Sequence, residues 1–212
     1  MKVVLIGATG FVGSAILAEG LSRGYEITAI ARNTDKVTKQ AGVTAVAADV
    51  TQVDALASVL NGHDAVISSY NPGWADPDLY NKFIKGSTDI QEAAKKAGTK
   101  RLLVIGGAGS LFIDGKQLVD SPEFPAEWKT GATAARDYLT RLRNEQELDW
   151  TFLSPAINLH PGTRTGSFRI GTENPVFDAA GKCDISVEDF AVAVCDELEN
   201  NQFIKSRFTV GY

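Results

Sequence analysis

Hydrophobic and polar positions along the chain alternate between two rhythms. "KVVLI" (2–6) is an apolar run behind one lysine, the pattern of a strand buried on both faces. "FVGSAILAEGLSRG" (11–24) changes to helical spacing, with Val12, Ile16, Leu17 and Leu21 on one face and a stop at Gly24. "YEITAIA" (25–31), "VTAVAAD" (43–49) and "DAVISS" (64–69) predict three more strands, and "QVDALASVLNG" a short helix between the last two. The helical stretch "PDLYNKFIKGSTDIQEAAKKAG" (77–98) leads into a strand at "RLLVIGG" (101–107). A helix around 131–148 leads into another at "WTFLSP" (150–155). Strand and helix alternate about six times from the first residue, which predicts βαβ crossovers and a parallel sheet covered by helices on both faces.

The last sixty or so residues are less regular. "SVEDFAVAVCDELEN" (186–200) reads as an amphipathic helix with Ser186 as N-cap and Asp189 completing a start like a capping box. "RFTVGY" (207–212) reads as a closing strand. No composition break, repeat or low-complexity linker divides the chain. The expectation is an α/β protein: one domain over 1–212, a doubly wound parallel sheet with an irregular C-terminal lobe.

Composition adds mainly exclusions. With 212 residues, 44% of them hydrophobic, the chain can bury one large core. A net charge of −5 gives no electrostatic reason to seek nucleic acid. The local basic clusters, "KK" at 95–96 and "TKR" at 99–101, read as solvated charges near a helix end. Cys183 and Cys195 lack partners at metal-ligand spacing and read as small buried apolar residues, which suits a reducing cytoplasm. His63 and His160 are too few for a His-rich metal site, so no metal is expected. The apolar run after Lys2 is too short for a signal-peptide core or a membrane span, which predicts a cytoplasmic protein without a membrane partner. The oligomeric state stays open.

Chemistry enters with "LIGATGFVGSAI" (5–16), where Gly7, Gly10 and Gly13 stand between a predicted strand and a predicted helix. A glycine triplet alone is a weak signal, but this context is the one a dinucleotide-binding turn requires. Gly7 would allow the tight turn, Gly10 a close approach to the backbone, and Gly13 close packing of the helix on the sheet. Free N–H groups at the helix N-terminus then suit a pyrophosphate. The Rossmann-type arrangement usually ends its second strand in an acid that binds the ribose of NAD. Here that strand ends "AIARN", with Arg32 nineteen residues beyond Gly13. Its guanidinium suits the 2′-phosphate of NADP, the favoured cofactor, or else it is a surface arginine. Asp49 could accept from the adenine amino group or cap the next helix. Ser69, Tyr70 and Asn71 end the fourth strand, beside the predicted switch point where ligands lie in such sheets.

Together "GATGFVG", "AIARN", "AADV" and "SSYNPGW" resemble the atypical short-chain dehydrogenase/reductase superfamily. Within it the chain is similar to the compact NAD(P)H-binding group labelled NAD-dependent epimerase/dehydratase or NADH–flavin reductase, akin to biliverdin IXβ/flavin reductase. The resemblance implies pyrophosphate contacts from Gly7, Thr9, Gly10, Phe11, Val12 and Gly13. It places Arg32 at the adenosine ribose, Asp49 and Val50 near the adenine, Ser69 near the ribose on the nicotinamide side, and Pro155 near the nicotinamide; Tyr70, next to Ser69, is a further cofactor candidate.

The superfamily's Tyr-x-x-x-Lys dyad has no match. Four residues after Tyr25, Tyr70, Tyr80 and Tyr138 stand Ala29, Trp74, Ile84 and Leu142. Hydride transfer to an electron-poor conjugated ring has less need of such a protein acid. Tyr70, Trp74, Leu111, Phe112 and Phe168 are the apolar and aromatic candidates for holding such an acceptor, or else they pack loops. Ser110 and His160 are the candidate catalytic residues, with a flexible loop and an exposed histidine as the plain alternatives. Three functions follow: a reductase of a flavin, quinone or similar small molecule; an epimerase or dehydratase with unconventional acid/base groups; or a non-catalytic NAD(P) sensor.

Overall fold

The computed structural model describes residues 1–212. At its centre lies β1 (Lys2–Ile6), whose Val3, Val4 and Leu5 have no exposed surface, as an apolar run without alternation requires. α1 (Phe11–Ser22) follows, then β2 (Glu26–Ala31), β3 (Val43–Ala47) and α2 (Val53–Leu60). The chain then crosses to β4 (Ala65–Ser68), α3 (Leu79–Ala97) and β5 (Arg101–Ile105). A helical turn at Ala108–Ser110 and a small hairpin of β6 (Phe112–Ile113) and β7 (Lys116–Gln117) lead to α4 (Ala126–Leu142) and β8 (Asp149–Ser154). Short strands β9 (Asn158–His160), β10 (Arg169–Gly171) and β11 (Asp184–Ser186) precede α5 (Val187–Asn200) and β12 (Ser206–Gly211).

Eight strands form one sheet in the order β10-β12-β8-β5-β4-β1-β2-β3, parallel except where β10 runs antiparallel to β12. The chain steps outward from β1 through β2 to β3, then returns to β4 on the other side of β1. The order therefore reverses between β1 and β4, and helices leave the two strands in opposite directions. A crevice opens at their carboxyl ends for that reason.

α1 and α5 cover one face over a core that includes Leu5, Ile16, Leu17, Phe190 and Phe208. α2, α3 and α4 cover the other over Val4, Ile6, Leu56, Ile90, Leu102 and Trp150. The helix expected around 131–148 lies earlier, at Ala126–Leu142. Its first turn carries the exposed Glu127, Trp128 and Lys129, so apolar periodicity begins only where the helix meets the protein. Beyond it, the Glu145 carboxylate accepts from the backbone of Glu147 and Leu148, which builds a turn rather than more helix.

The irregular part of the C-terminal third is 155–185, and α5 and β12 rejoin the main body. Ser186 caps α5 by accepting from the Asp189 N–H at 3.1 Å. Asp189 does not return the bond. Its buried carboxylate accepts instead from the Thr165 and Gly166 backbones at 2.7 Å each, from the Thr165 hydroxyl and from the Tyr212 hydroxyl. One carboxylate thus ties the 160s loop and the last strand to the start of α5.

Candidate dinucleotide site

The glycine turn is decided by distances between backbones. Gly7 has φ +83°, and a Cβ there would lie 2.3 Å from the Ser69 carbonyl oxygen at the end of β4. A Cβ at Gly13 would lie 2.1 Å from the Gly7 carbonyl oxygen, so glycine alone lets α1 seat on the turn. Gly10 differs, since a Cβ would meet only the Gly7 oxygen at an ordinary 3.4 Å. No protein atom needs that space. Gly10 is the N-cap of α1, no side chain caps the helix, and its first turn holds no acid. The helix N-terminus is left with unfilled donors and a partial positive charge facing an open space.

That space is a cleft of about 800 Å³ at the reversal point. Gly7, Thr9 and Gly10 form its floor, and Arg32 follows directly on β2. Asp49, Val50 and Thr51 follow β3, and Ser69, Tyr70, Asn71 and Pro72 follow β4. Asp76, Lys82 and Lys85 close the wall from the start of α3. The last three were not foreseen. Their sequence signal is helical spacing, because Lys82 and Lys85 stand three apart on a helix that leaves the carboxyl end of β4.

The charges on this wall are unequal. Lys82 bonds Asp76 at 2.8 Å and Lys85 bonds Asp89 at 2.6 Å. The Arg32 side chain is exposed and makes no hydrogen bond or ion pair with the protein. Asp49 accepts from the Thr51 N–H at 2.9 Å and the Thr51 hydroxyl at 2.8 Å, and these bonds hold its pKa below the usual carboxylate value. Gln52, without a side-chain cap, precedes α2, so Asp49 is not the cap of that helix. Tyr70 lies against Gly86, where a Cβ would come within 2.4 Å of its ring, and its hydroxyl donates to the Lys82 carbonyl at 3.3 Å. Burial raises the Tyr70 pKa.

Of the cofactor candidates, Gly7, Thr9, Gly10, Arg32, Asp49, Val50, Ser69 and Tyr70 come together on the cleft. Phe11 is half exposed at the head of α1, Val12 packs on the core, and Gly13 serves the helix–turn contact. Pro155 follows β8, two strands beyond β4, outside this wall.

Several acceptor candidates fall elsewhere. Leu111 has no exposed surface, so it packs and cannot touch a ligand in this fold. Phe168 lies with Ala193, Phe203 and Phe208 on the α5 side of the sheet, away from the cleft. Half-buried Phe112 is tied to the irregular segment through its backbone, which bonds Glu173 at 2.9 Å and Asn174 at 2.8 Å. Trp74 is 54% exposed and meets Trp128 edge-on with ring centres 4.9 Å apart.

Neither catalytic candidate faces the cleft. Ser110 is 1% exposed; its hydroxyl donates to the Gly107 carbonyl and accepts from Arg207 at 3.2 Å. Arg207, itself buried and paired with Glu173, is a neighbour the sequence did not reveal. His160 lies in β9, its Nδ1 2.9 Å from the Pro161 carbonyl oxygen. Tyr138 is buried beneath α3, its hydroxyl bonding Gln91 at 3.3 Å, and burial raises its pKa.

The uncapped helix, the space kept open at Gly10 and the unpartnered Arg32 suit a phosphate-bearing dinucleotide. Residues 7–201 match the model of the family described as NAD(P)H-binding. The chain belongs to this NAD(P)H-binding family. Among the solved structures that cover all of the chain are three from different bacteria. A candidate epimerase from Bacteroides thetaiotaomicron is 44% identical, with a TM-score of 0.93 and 96% of that chain covered. A candidate exported protein from Burkholderia pseudomallei is 42% identical, with a TM-score of 0.89 and 100% of that chain covered. A candidate NADH-flavin reductase from Streptococcus pneumoniae is 34% identical, with a TM-score of 0.85 and 99% of that chain covered. The glycine turn and the wall that runs from Arg32 to Lys85 lie within the matched residues. No helix is long and apolar enough to cross a membrane.

Proposed function

We propose that this protein is an NADPH-dependent reductase that passes hydride to a conjugated small molecule such as a flavin or quinone. The observation that carries the reading is the setting of Tyr138. It is the one tyrosine on α4, and it is buried under α3 rather than turned to the cleft. With no lysine four residues after it, Tyr138 lacks the partner that would make it the acid carbonyl–alcohol interconversion needs. A bound nicotinamide cofactor would supply the hydride, and water the proton that completes the reduced acceptor. The chain's own part is to bind and orient: donors of the α1 N-terminus hold the pyrophosphate, and Arg32 takes the 2′-phosphate. The name of the S. pneumoniae structure supports this reading, whereas that of the B. thetaiotaomicron structure favours an epimerase.

The test is NADPH oxidation against a panel of riboflavin, menadione, secondary alcohols and nucleotide sugars, with Tyr138→Phe beside the parent. Turnover of riboflavin or menadione, kept within a few-fold in Tyr138→Phe, is the expected result. Epimerisation of a sugar, or a loss of about 10²–10⁴-fold in Tyr138→Phe, would put the epimerase first. Tight NADPH binding without any turnover would make the protein a sensor. A store of NADPH and the two reduced cysteines suit the cytoplasm, and cell fractionation decides between that and the export named for the B. pseudomallei protein.

A further inference from the structure

Large apolar side chains are left exposed where the chain departs from the carboxyl side of the sheet. Phe11 follows β1, Trp74 follows β4, Trp128 opens the helix after β5, and Ile157 follows β8; each is about half exposed. The two tryptophans among them touch, edge to face, with ring centres 4.9 Å apart. Their contact is built into the backbone. Gly131, one turn along α4 from Trp128, leaves the space that Trp74 occupies, and a Cβ there would lie 2.5 Å from the Trp74 ring. Beside it on α4, Ala132 lies against the segment after β5, where a Cβ on Gly109 would meet it at 2.9 Å. On its other side, Trp74 continues from Asn71 and Pro72, which line the cleft, and precedes Asp76, which lines it again. Neither tryptophan lines the cleft itself: Trp74 sits in the loop between the wall residues Pro72 and Asp76, and Trp128 packs on that loop from α4.

We infer that Trp74 and Trp128 form the aromatic wall that selects a flat, fused-ring acceptor. This rests on the reductase reading. An edge-to-face pair presents one indole face and one indole edge at a right angle, a corner that a planar ring fills by stacking on one and meeting the edge of the other. Trp128 stands in an exposed first turn that also carries Glu127 and Lys129, and a lone surface position there has no packing need for so large a ring. A small sugar or aliphatic carbonyl would leave most of this surface wet, whereas a tricyclic flavin would cover it.

Binding can be measured without turnover, by equilibrium dialysis of riboflavin against the NADP⁺-loaded protein. Trp128→Ala should weaken riboflavin about tenfold, the loss of one aromatic stacking contact, while Trp128→Phe stays within about threefold. Gly131→Ala keeps both tryptophans but pushes Trp74 aside, and should weaken riboflavin in the same direction. NADPH affinity and melting temperature should hold in Trp128→Ala, and its KM for riboflavin should rise while kcat holds. Riboflavin binding equal to the parent in Trp128→Ala and Gly131→Ala overturns the assignment, as does a parent that binds neither riboflavin nor menadione. Binding that depends on the pair, without NADPH oxidation, would remove the reductase reading and leave the aromatic wall standing.

Discussion

Alanine at Gly10 and at Gly13 should have opposite consequences, though the two residues share one turn. At Gly13 the added carbon would stand 2.1 Å from the Gly7 oxygen, 2.8 Å from the Gly7 carbonyl carbon and 3.1 Å from the Ala8 Cα. All three are backbone atoms, so no rotamer relieves the contact. An ordinary separation requires α1 to retreat from the turn by more than about 1 Å, which loosens Ile16 and Leu17 from their core. Overpacking of this kind costs roughly 1–3 kcal/mol, or more where only backbone can yield. For a domain of this size each kcal/mol moves the melting temperature by about 2–4 °C, so Gly13→Ala should melt about 2–12 °C lower, and further if the cost exceeds that range. At Gly10 the only neighbour is at 3.4 Å and φ is −80°, so alanine fits the protein and the fold should melt within about 2 °C of the parent. Its methyl group instead enters the space for the pyrophosphate, and NADPH binding should fall at least about tenfold, with valine abolishing it. Thermal melts followed by circular dichroism and a fluorescence titration of NADPH read both effects. A Gly10→Ala protein that binds normally, or a Gly13→Ala protein that melts with the parent, would refute this division of labour.

Two further outcomes follow. Arg32→Ala should weaken NADPH by about 1.5–3 kcal/mol, the scale of hydrogen bonds to a charged group, and spare NADH; equal losses in parallel titrations would remove the 2′-phosphate assignment. The Asp189 carboxylate is buried, which opposes its charge, but bonds from Thr165, Gly166 and Tyr212 outweigh burial and hold its folded pKa below the ordinary value. Its stabilisation is then complete above the unfolded pKa of about 3.9 and is lost as pH falls through the folded value. Asp189→Asn, which cannot accept from the Thr165 and Tyr212 hydroxyls through its amide nitrogen, should cost about 1.5–3 kcal/mol at pH 7. That gap should narrow as pH falls below about 4 in urea melts of both proteins; a constant gap from pH 7 to pH 3 would sink the ionic account.

The sequence by itself determined the architecture because its signals are local. An apolar run such as Val3–Ile6 can only be a strand covered on both faces, and a helix must follow where spacing changes at Phe11. The strands from β1 to β5 and the binding turn were legible for the same reason. So was the arginine at the tip of β2, since one βαβ unit fixes its place relative to the glycines. What only the tertiary structure decided lies at long range. Ser110, Leu111 and Phe168 read as loop residues near a site, yet partners distant in sequence claim them: Arg207 the first, the core the second, and α5 and β12 the third. At short range, only the structure removed the helix-cap role of Asp49, because Gln52 holds that position and Thr51 binds the carboxylate. Lys82 and Lys85 joined the cleft because α3 leaves the sheet beside it. Trp128 met Trp74 across more than fifty residues because Gly131 left the space. Local propensity fixes the elements, but which side chains share a surface depends on contacts between elements, and no spacing along the chain encodes those.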